Sequence, residues 1–225
     1  MSTALFVVSE EGYWAEECIE PLTTLESEGV DVTVATPSGS PPVVDERSLD
    51  PEAAGGEERV AELREVDEEH PELNDPEPVA TVAADDYDAV VFPGGHGTVW
   101  DVNQDRHARQ LLLDAVAGEA GVALVVCHAV GILGFTREAD GTPLVEGRSV
   151  TGFPNAWEED IVDDHDVMPD GRKLPYWVED EVVLAGADWD AELDADASVT
   201  VDGDLITARG PGSSAAAAAT LLDAL

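Results

Sequence analysis

Along the chain, short unbroken apolar runs alternate with longer stretches in which apolar residues recur every three or four positions. The first kind predicts strands buried on both faces, the second helices lying over them. "ALFVV" (4–8) reads as a strand by length and β-branching, "WAEECIEPLTTLESEG" (14–29) as a helix ending at Gly29, and "VDVTVAT" (30–36) as the next strand. Alternation resumes at "DAVVFPGGHG" (88–97), a strand entering a glycine turn. A helix over about 104–118, the strand "VALVV" (122–126) and a helix from about 129 follow. "RSVTGF" (148–153) reads as a strand, and "SVTVDGDLITAR" (198–209) as a hairpin turning at Asp202-Gly203; "PYWVEDEVVLAGA" (175–187) and "SSAAAAATLLDAL" (213–225) read as helices. This order predicts an α/β fold with a mostly parallel sheet covered on both faces. From Pro37 to about Pro78 the pattern breaks down, with one short helical piece near 56–68. That is too long for a plain connection, so the segment is a functional cover or a mobile excursion.

Length favours one domain over residues 1–225, because 225 residues bury a sufficient core without disulfide or metal staples. Charge changes the picture more. The chain carries 50 Asp and Glu against 10 Lys and Arg, a formal charge of −40, with Lys173 the single lysine. Self-repulsion on that scale destabilises a compact state in dilute salt. Yet 44% of residues are apolar and fall in periodic blocks, which argues for a folded core under an acidic skin. The composition predicts a protein adapted to high salt, where the screening length shrinks to about 3 Å at 1 M; an acidic mimic of nucleic acid is the minor alternative. Binding to a phosphate backbone is disfavoured by the sign of the charge. Residues 1–12 lack the basic and long apolar regions of a signal peptide and no run reaches membrane-spanning length, so the expectation is a cytoplasmic protein with no membrane partner. Its two cysteines, Cys18 and Cys127, are then expected as free thiols.

"VALVVCHAVGIL" (122–133) places Cys127 between a strand and a helix. A nucleophile on such a tight turn stands at the carboxyl end of the sheet, where open α/β folds bind ligands. A helix amino terminus there supplies about half a positive charge and unpaired N–H donors, which favour a thiolate. A small buried structural cysteine has the same local sequence. His128 offers a base, but adjacent side chains diverge unless the backbone turns sharply; its backbone N–H is placed for an oxyanion in either case. "PGGHG" (93–97) ends another strand and matches neither a dinucleotide fingerprint nor a phosphate loop. If its strand neighbours "VALVV", the Gly95 amide faces the sulfur as a second oxyanion donor. Cys18 reads as packing, His96 as an open ligand contact, and His70, His107 and His165 as surface residues without metal-site spacing.

These pieces in this order resemble the ThiJ/PfpI superfamily, which shares the class I glutamine amidotransferase-like, flavodoxin-like three-layer fold. The similarity is strongest to its heat-shock-chaperone-like glyoxalase III branch, also described as D-lactate dehydratase. The matches are "WAEECIEPL" (14–22), "FPGGHG" (92–97), "VVCH" (125–128), "PLVEGRSVTGFPNAWEE" (143–159), "LPYWVEDEV" (174–182) and "DGDLITARGPGSS" (202–214), and they span the chain. The resemblance implies Cys127 as nucleophile, His128 as its histidine, Glu158 as the acid that orients it, Glu17 as the carboxyl group touching the sulfur, and Gly95 with His128 as oxyanion hole. Glu159, adjacent to Glu158, remains open as the acid. Ala129 stands where glycine is common, and "GPGSS" (210–214) replaces an Asn-Pro segment.

The implied activity is a cofactor-independent and metal-independent glyoxalase that turns methylglyoxal or glyoxal into D-lactate or glycolate in a shallow polar pocket. Glycated or unfolded proteins would be further partners, and a homodimer is the family expectation. Rival readings are an intracellular cysteine peptidase or amidase of the PfpI type, and a non-enzymatic holding chaperone or oxidant sensor. The charge reading has its own check: thermal melts should rise in midpoint with KCl, and dialysis into dilute buffer should unfold the chain. A midpoint indifferent to salt would contradict it.

Overall fold

The computed structural model describes residues 1–118, 121–190 and 198–225. In chain order its strands are β1 (Thr3–Val7), β2 (Asp31–Thr36), β3 (Glu77–Pro78), β4 (Ala89–Phe92), β5 (Val122–Val126), β6 (Ser149–Val150), β7 (Asp188–Trp189), β8 (Val199–Asp202) and β9 (Leu205–Ala208). Its helices are α1 (Ala15–Ser27), α2 (Pro51–Ala54), α3 (Glu57–Glu69), α4 (Pro71–Asn74), α5 (Arg106–Ala117), α6 (Gly131–Phe135), α7 (Asn155–Glu158), α8 (Val178–Leu184) and α9 (Ser214–Ala224).

The main sheet runs β3-β2-β1-β4-β5-β9-β8, parallel throughout except for the β8–β9 hairpin. Its central strands are apolar on both faces because both faces are covered, the burial expected of a parallel sheet. One apolar layer joins Leu5, Val7, Val90, Phe92 and Val125 to α5 and α6, and the other joins Phe6, Val91, Leu124 and Ile206 to α1 and α9. After β1 the chain winds outward through β2 and β3 and returns on the other side at β4. This is the reversal of strand order beside which α/β sheets form their crevice.

Two expectations are corrected. "RSVTGF" forms only the two-residue β6, which pairs with β7 outside the main sheet. Residues 37–78 are ordered cover rather than patternless chain: a 3-10 turn (Glu46–Leu49), α2, α3 and α4 follow one another there. The helical piece expected near 56–68 is α3, "EERVAELREVDEE", which carries a narrow apolar stripe of Val60, Leu63 and Val66 in a field of charge, whereas the four-residue α2 and α4 are too short to show a period. That stripe suffices. Leu63 is fully buried with Leu49 and Ala54 against Ala15 and Ile19 of α1, and the Tyr13 hydroxyl donates to Asp67.

Leu63→Ala should therefore cost about 3 kcal/mol and loosen the cover without disturbing the sheet. Urea denaturation with protease mapping of residues 37–78 reads both effects, and an unchanged midpoint would count against the packing.

Candidate functional site

The carboxyl ends of β1, β4, β5 and β9 meet at one edge of the sheet. Cys127 follows β5 with φ +57°, a left-handed conformation rare for a residue with a side chain. This sharp turn is what lets two adjacent side chains cooperate: Sγ of Cys127 lies 3.3 Å from Nδ1 of His128. Gly94, after β4, allows the turn to close. A Cβ there would fall 2.6 Å from the Cβ of Cys127 and 2.3 Å from Oε2 of Glu17, distances no side chain tolerates. Gly95, at φ +111°, packs as closely on the backbone of Gly12–Trp14, so the glycine turn also fixes the entry to α1.

His128 stacks on Phe153, ring centroids 4.3 Å apart, and its Nε2–H donates to Oε2 of Glu158 at 2.7 Å. Glu158 is 2% exposed whereas Glu159 is exposed, so the carboxylate on His128 is Glu158. Glu17 projects from α1 into the same space and is fully buried. Thus Cys127, His128, Glu158 and Glu17 come together. Of the two amides anticipated around the sulfur, that of His128 points to it; beside the thiol on the opposite wall stands Gly94, one residue before Gly95. Cys18 packs in the core, away from this cluster. His165 is exposed, while His70 and His107 are partly buried and pair with Glu26 and Arg106.

The two buried carboxyl groups are driven in opposite directions. Burial pushes Glu17 up to about 8, because neither oxygen meets a hydrogen bond of ordinary geometry and only the Cys127 thiol and the Gly94 N–H lie against it. Burial also opposes ionisation of Glu158, but hydrogen bonds from His128 and His96 outweigh it and hold that carboxylate well below the ordinary range. Burial and the neighbouring Glu17 push the Cys127 thiol up. The expected helix is a 3-10 turn (Cys127–Val130) followed by the five-residue α6, too short for a strong dipole, so the expected helix support for a thiolate is corrected; burial favours the protonated sulfur, whose proton a base can take. His128 can serve as that base. Its Nε2–H is committed to Glu158, which leaves the Nδ1 lone pair facing Sγ.

Sulfur and imidazole face a cavity of about 110 Å³ lined by Trp14, Glu17, His96, Cys127, His128, Phe153, Ile161 and Pro211. Its walls are mainly rings and aliphatic carbon, not the shallow polar pocket expected. Sequence reasoning missed the part played by His96, whose Nε2 lies 3.0 Å from Oε1 of Glu158, and missed Arg47 entirely, which reaches His96 Nδ1 at 3.0 Å. The signals that could have found them were a histidine directly after paired glycines at a strand end and a rare cation within an acidic cover. His96, His128 and Glu158 bring their ligand atoms within 4.8 Å of one another, a donor set that suits a transition metal, though here both imidazoles bond the carboxylate. Among the described residues no helix is long and apolar enough to cross a membrane.

A family model described as "DJ-1/PfpI family" matches residues 2–224. The chain is 30% identical over 217 residues to the protein named glutathione-independent glyoxalase HSP31 of Saccharomyces cerevisiae, spanning 95% of this chain and 89% of that one. It is 26% identical over 164 residues to Glyoxalase 3 of Candida albicans, spanning 72% and 68%. Among solved structures, glyoxalase III from Candida albicans superposes with a TM-score of 0.83 at 22% identity, covering 100% of this chain and 97% of that one. Rapid Encystment Protein 24 KDa of Francisella tularensis superposes at 0.81 with 24% identity, covering 100% and 99%. At those identities the two superpositions show a shared fold.

The state of Glu17 is measurable through stability. Its folded pKa lies above the unfolded value, so its contribution is complete below about pH 4.5 and lost as pH rises through about 8. Melting midpoints of wild type should fall across that window, and Glu17→Gln should flatten the decline. Parallel profiles would mean that Glu17 is already ionised at neutral pH.

Proposed function

The chain belongs to the DJ-1/PfpI family, and we propose that it is a cofactor-independent glyoxalase converting methylglyoxal or glyoxal to the corresponding hydroxy acid. The observation that carries this reading is a sulfur in a strained elbow, beside an oriented imidazole, opening onto a cavity of about 110 Å³. Cavities for drug-sized ligands run to roughly 300–1,000 Å³; this one suits a dicarbonyl of a few heavy atoms. The two curated relatives carry glyoxalase names, which supports the same substrate class.

On this reading His128 Nδ1 takes the thiol proton as Sγ attacks the aldehyde carbon, and the new C–S bond leaves a hemithioacetal whose oxygen is met by the His128 amide. A base then moves the C1 proton through an enediolate to C2, converting the hemithioacetal to a thioester. Water cleaves the thioester, releasing the hydroxy acid and returning the proton to sulfur. The atoms balance as one dicarbonyl plus one water. Protonated Glu17 donates toward the developing thiolate or enediolate oxygen, and Glu158 stabilises the imidazolium formed in between. Residues 1–225 then work as one unit. A cytoplasmic homodimer adapted to high salt belongs to the same proposal, and the excess of acidic residues supports the salt adaptation.

In concentrated KCl, Cys127→Ala should reduce methylglyoxal turnover to background and Glu17→Gln should lower it by about a hundredfold, with hydroxy-acid formation as the readout. Unchanged rates in both variants would remove the enzyme reading.

A further inference from the structure

Beyond the four residues assigned above lies a second line of contacts that ends on Glu158 from the opposite side. It starts in the cover. Arg47, in the 3-10 turn Glu46–Leu49, is gripped by Asp45: its Nε donates to Oδ1 at 2.9 Å and its Nη2 to Oδ2 at 2.5 Å. The turn is itself fastened to the start of α1. Tyr13 N–H donates to Val43 O, Asp45 N–H to Tyr13 O, and Ala15 N–H to Ser48 Oγ. Arg47 is thereby held in fixed register with Trp14 and Glu17. From there Nη2 reaches Nδ1 of His96, and His96 Nε2 reaches Oε1 of Glu158.

The chemistry of these groups leaves one assignment of protons. A guanidinium has donors and no acceptor, so Nδ1 of His96 must present its lone pair. The single hydrogen of the neutral ring then sits on Nε2 and is spent on Glu158. Glu158, buried and accepting at both oxygens, has its plane set by two imidazoles whose centroids stand 3.9 Å apart. Its other oxygen accepts the Nε2–H of His128, which leaves the Nδ1 lone pair facing Sγ. Arg47 thus fixes the proton of His96, and the carboxylate held between the two rings fixes that of His128.

We propose that Arg47 and His96 are positioning residues for Cys127: Arg47 keeps the proton of His96 on Nε2, and His96 locks the carboxylate that orients His128. This rests on the reading of Cys127 as the reacting sulfur. It ties the cover to the site, since the residue that begins the sequence of bonds lies in the segment 37–78. The charged and titratable groups around His96 are Arg47 and Asp45 from the cover, Glu158 from α7, His128 and Cys127 after β5, and Glu17 from α1. Burial and the adjacent His128 push His96 down to about 4, with Arg47 acting in the same direction, so the neutral ring is the working form across the neutral range.

The test measures imidazole ¹⁵N shifts of His96 and His128 between pH 5 and 9, alkylation of Cys127 by iodoacetamide against pH with peptide mapping, and kcat and KM for methylglyoxal. Wild type should show His96 as a neutral ring, unprotonated at Nδ1, throughout. Arg47→Met should let the neutral His96 ring populate the tautomer protonated at Nδ1, shift the alkylation profile, and lower kcat about tenfold with KM changed less than about twofold. His96→Leu should act likewise, whereas His96→Gln, whose amide N–H can still donate to Glu158, should recover most of the loss. A wild-type His96 protonated at Nδ1 would overturn the proposal without any variant. So would Arg47→Met and His96→Leu proteins with unaltered His128 shifts, alkylation profile and kcat. If wild type fails to turn over methylglyoxal while the alkylation profile still moves in Arg47→Met, the substrate assignment falls and the positioning roles stand.

Discussion

A left-handed turn at one non-glycine residue organises the site. Holding Cys127 at φ +57° costs on the order of 1–3 kcal/mol, and the strain persists because β5 is hydrogen-bonded between β4 and β9, so the chain leaves the sheet at a fixed point and angle. The turn brings the Cys127 and His128 side chains together, aims the His128 N–H at the sulfur, and makes Gly94 obligatory on the facing strand end. If the conformation relaxed, the two side chains would separate as neighbours in an extended chain do, and Glu17 and Glu158 would have no common partner.

Within this frame, environment alone separates two chemically similar carboxyl groups. Glu17 has no cation beside it and few donors, and keeps its proton; Glu158 receives two imidazole N–H groups and loses its own. Such a pair of opposed states is the usual basis for assigning donor and acceptor in acid–base chemistry. It also shows how little the global charge of −40 governs the interior: both groups respond to partners within hydrogen-bond reach, while the acidic surface is screened by solvent and salt.

Much of the frame is legible in the sequence because it is made of repeated physics. Runs such as "ALFVV" and "VALVV" can only be strands buried on both faces, and Gly29 at φ +84° ends α1 where a glycine after an apolar-periodic segment should. The meeting of Cys127, His128, Glu17 and Glu158 is implied by resemblance and cannot follow from periodicity, since Glu17 lies among other acids on a helix and Glu158 beside Glu159. Burial distinguishes these neighbours, and burial is a tertiary property. Residues 37–78 are legible only in part: the spacing of Val60, Leu63 and Val66 marks α3, while the four-residue α2 and α4 are too short to show a period, and where α3 docks depends on the surface that Ala15 and Ile19 offer. Arg47 and His96 are illegible as partners because 49 residues separate them and only the docked cover brings them within reach.

The ring-lined cavity has a kinetic corollary. On the proposed reaction the incoming dicarbonyl is neutral and suits walls of Trp14, Phe153 and Ile161, whereas the outgoing hydroxy acid is an anion that such walls solvate poorly. The chamber thus favours what it consumes over what it makes. On that reaction the product leaves because the walls solvate it poorly, and accumulated hydroxy acid inhibits little.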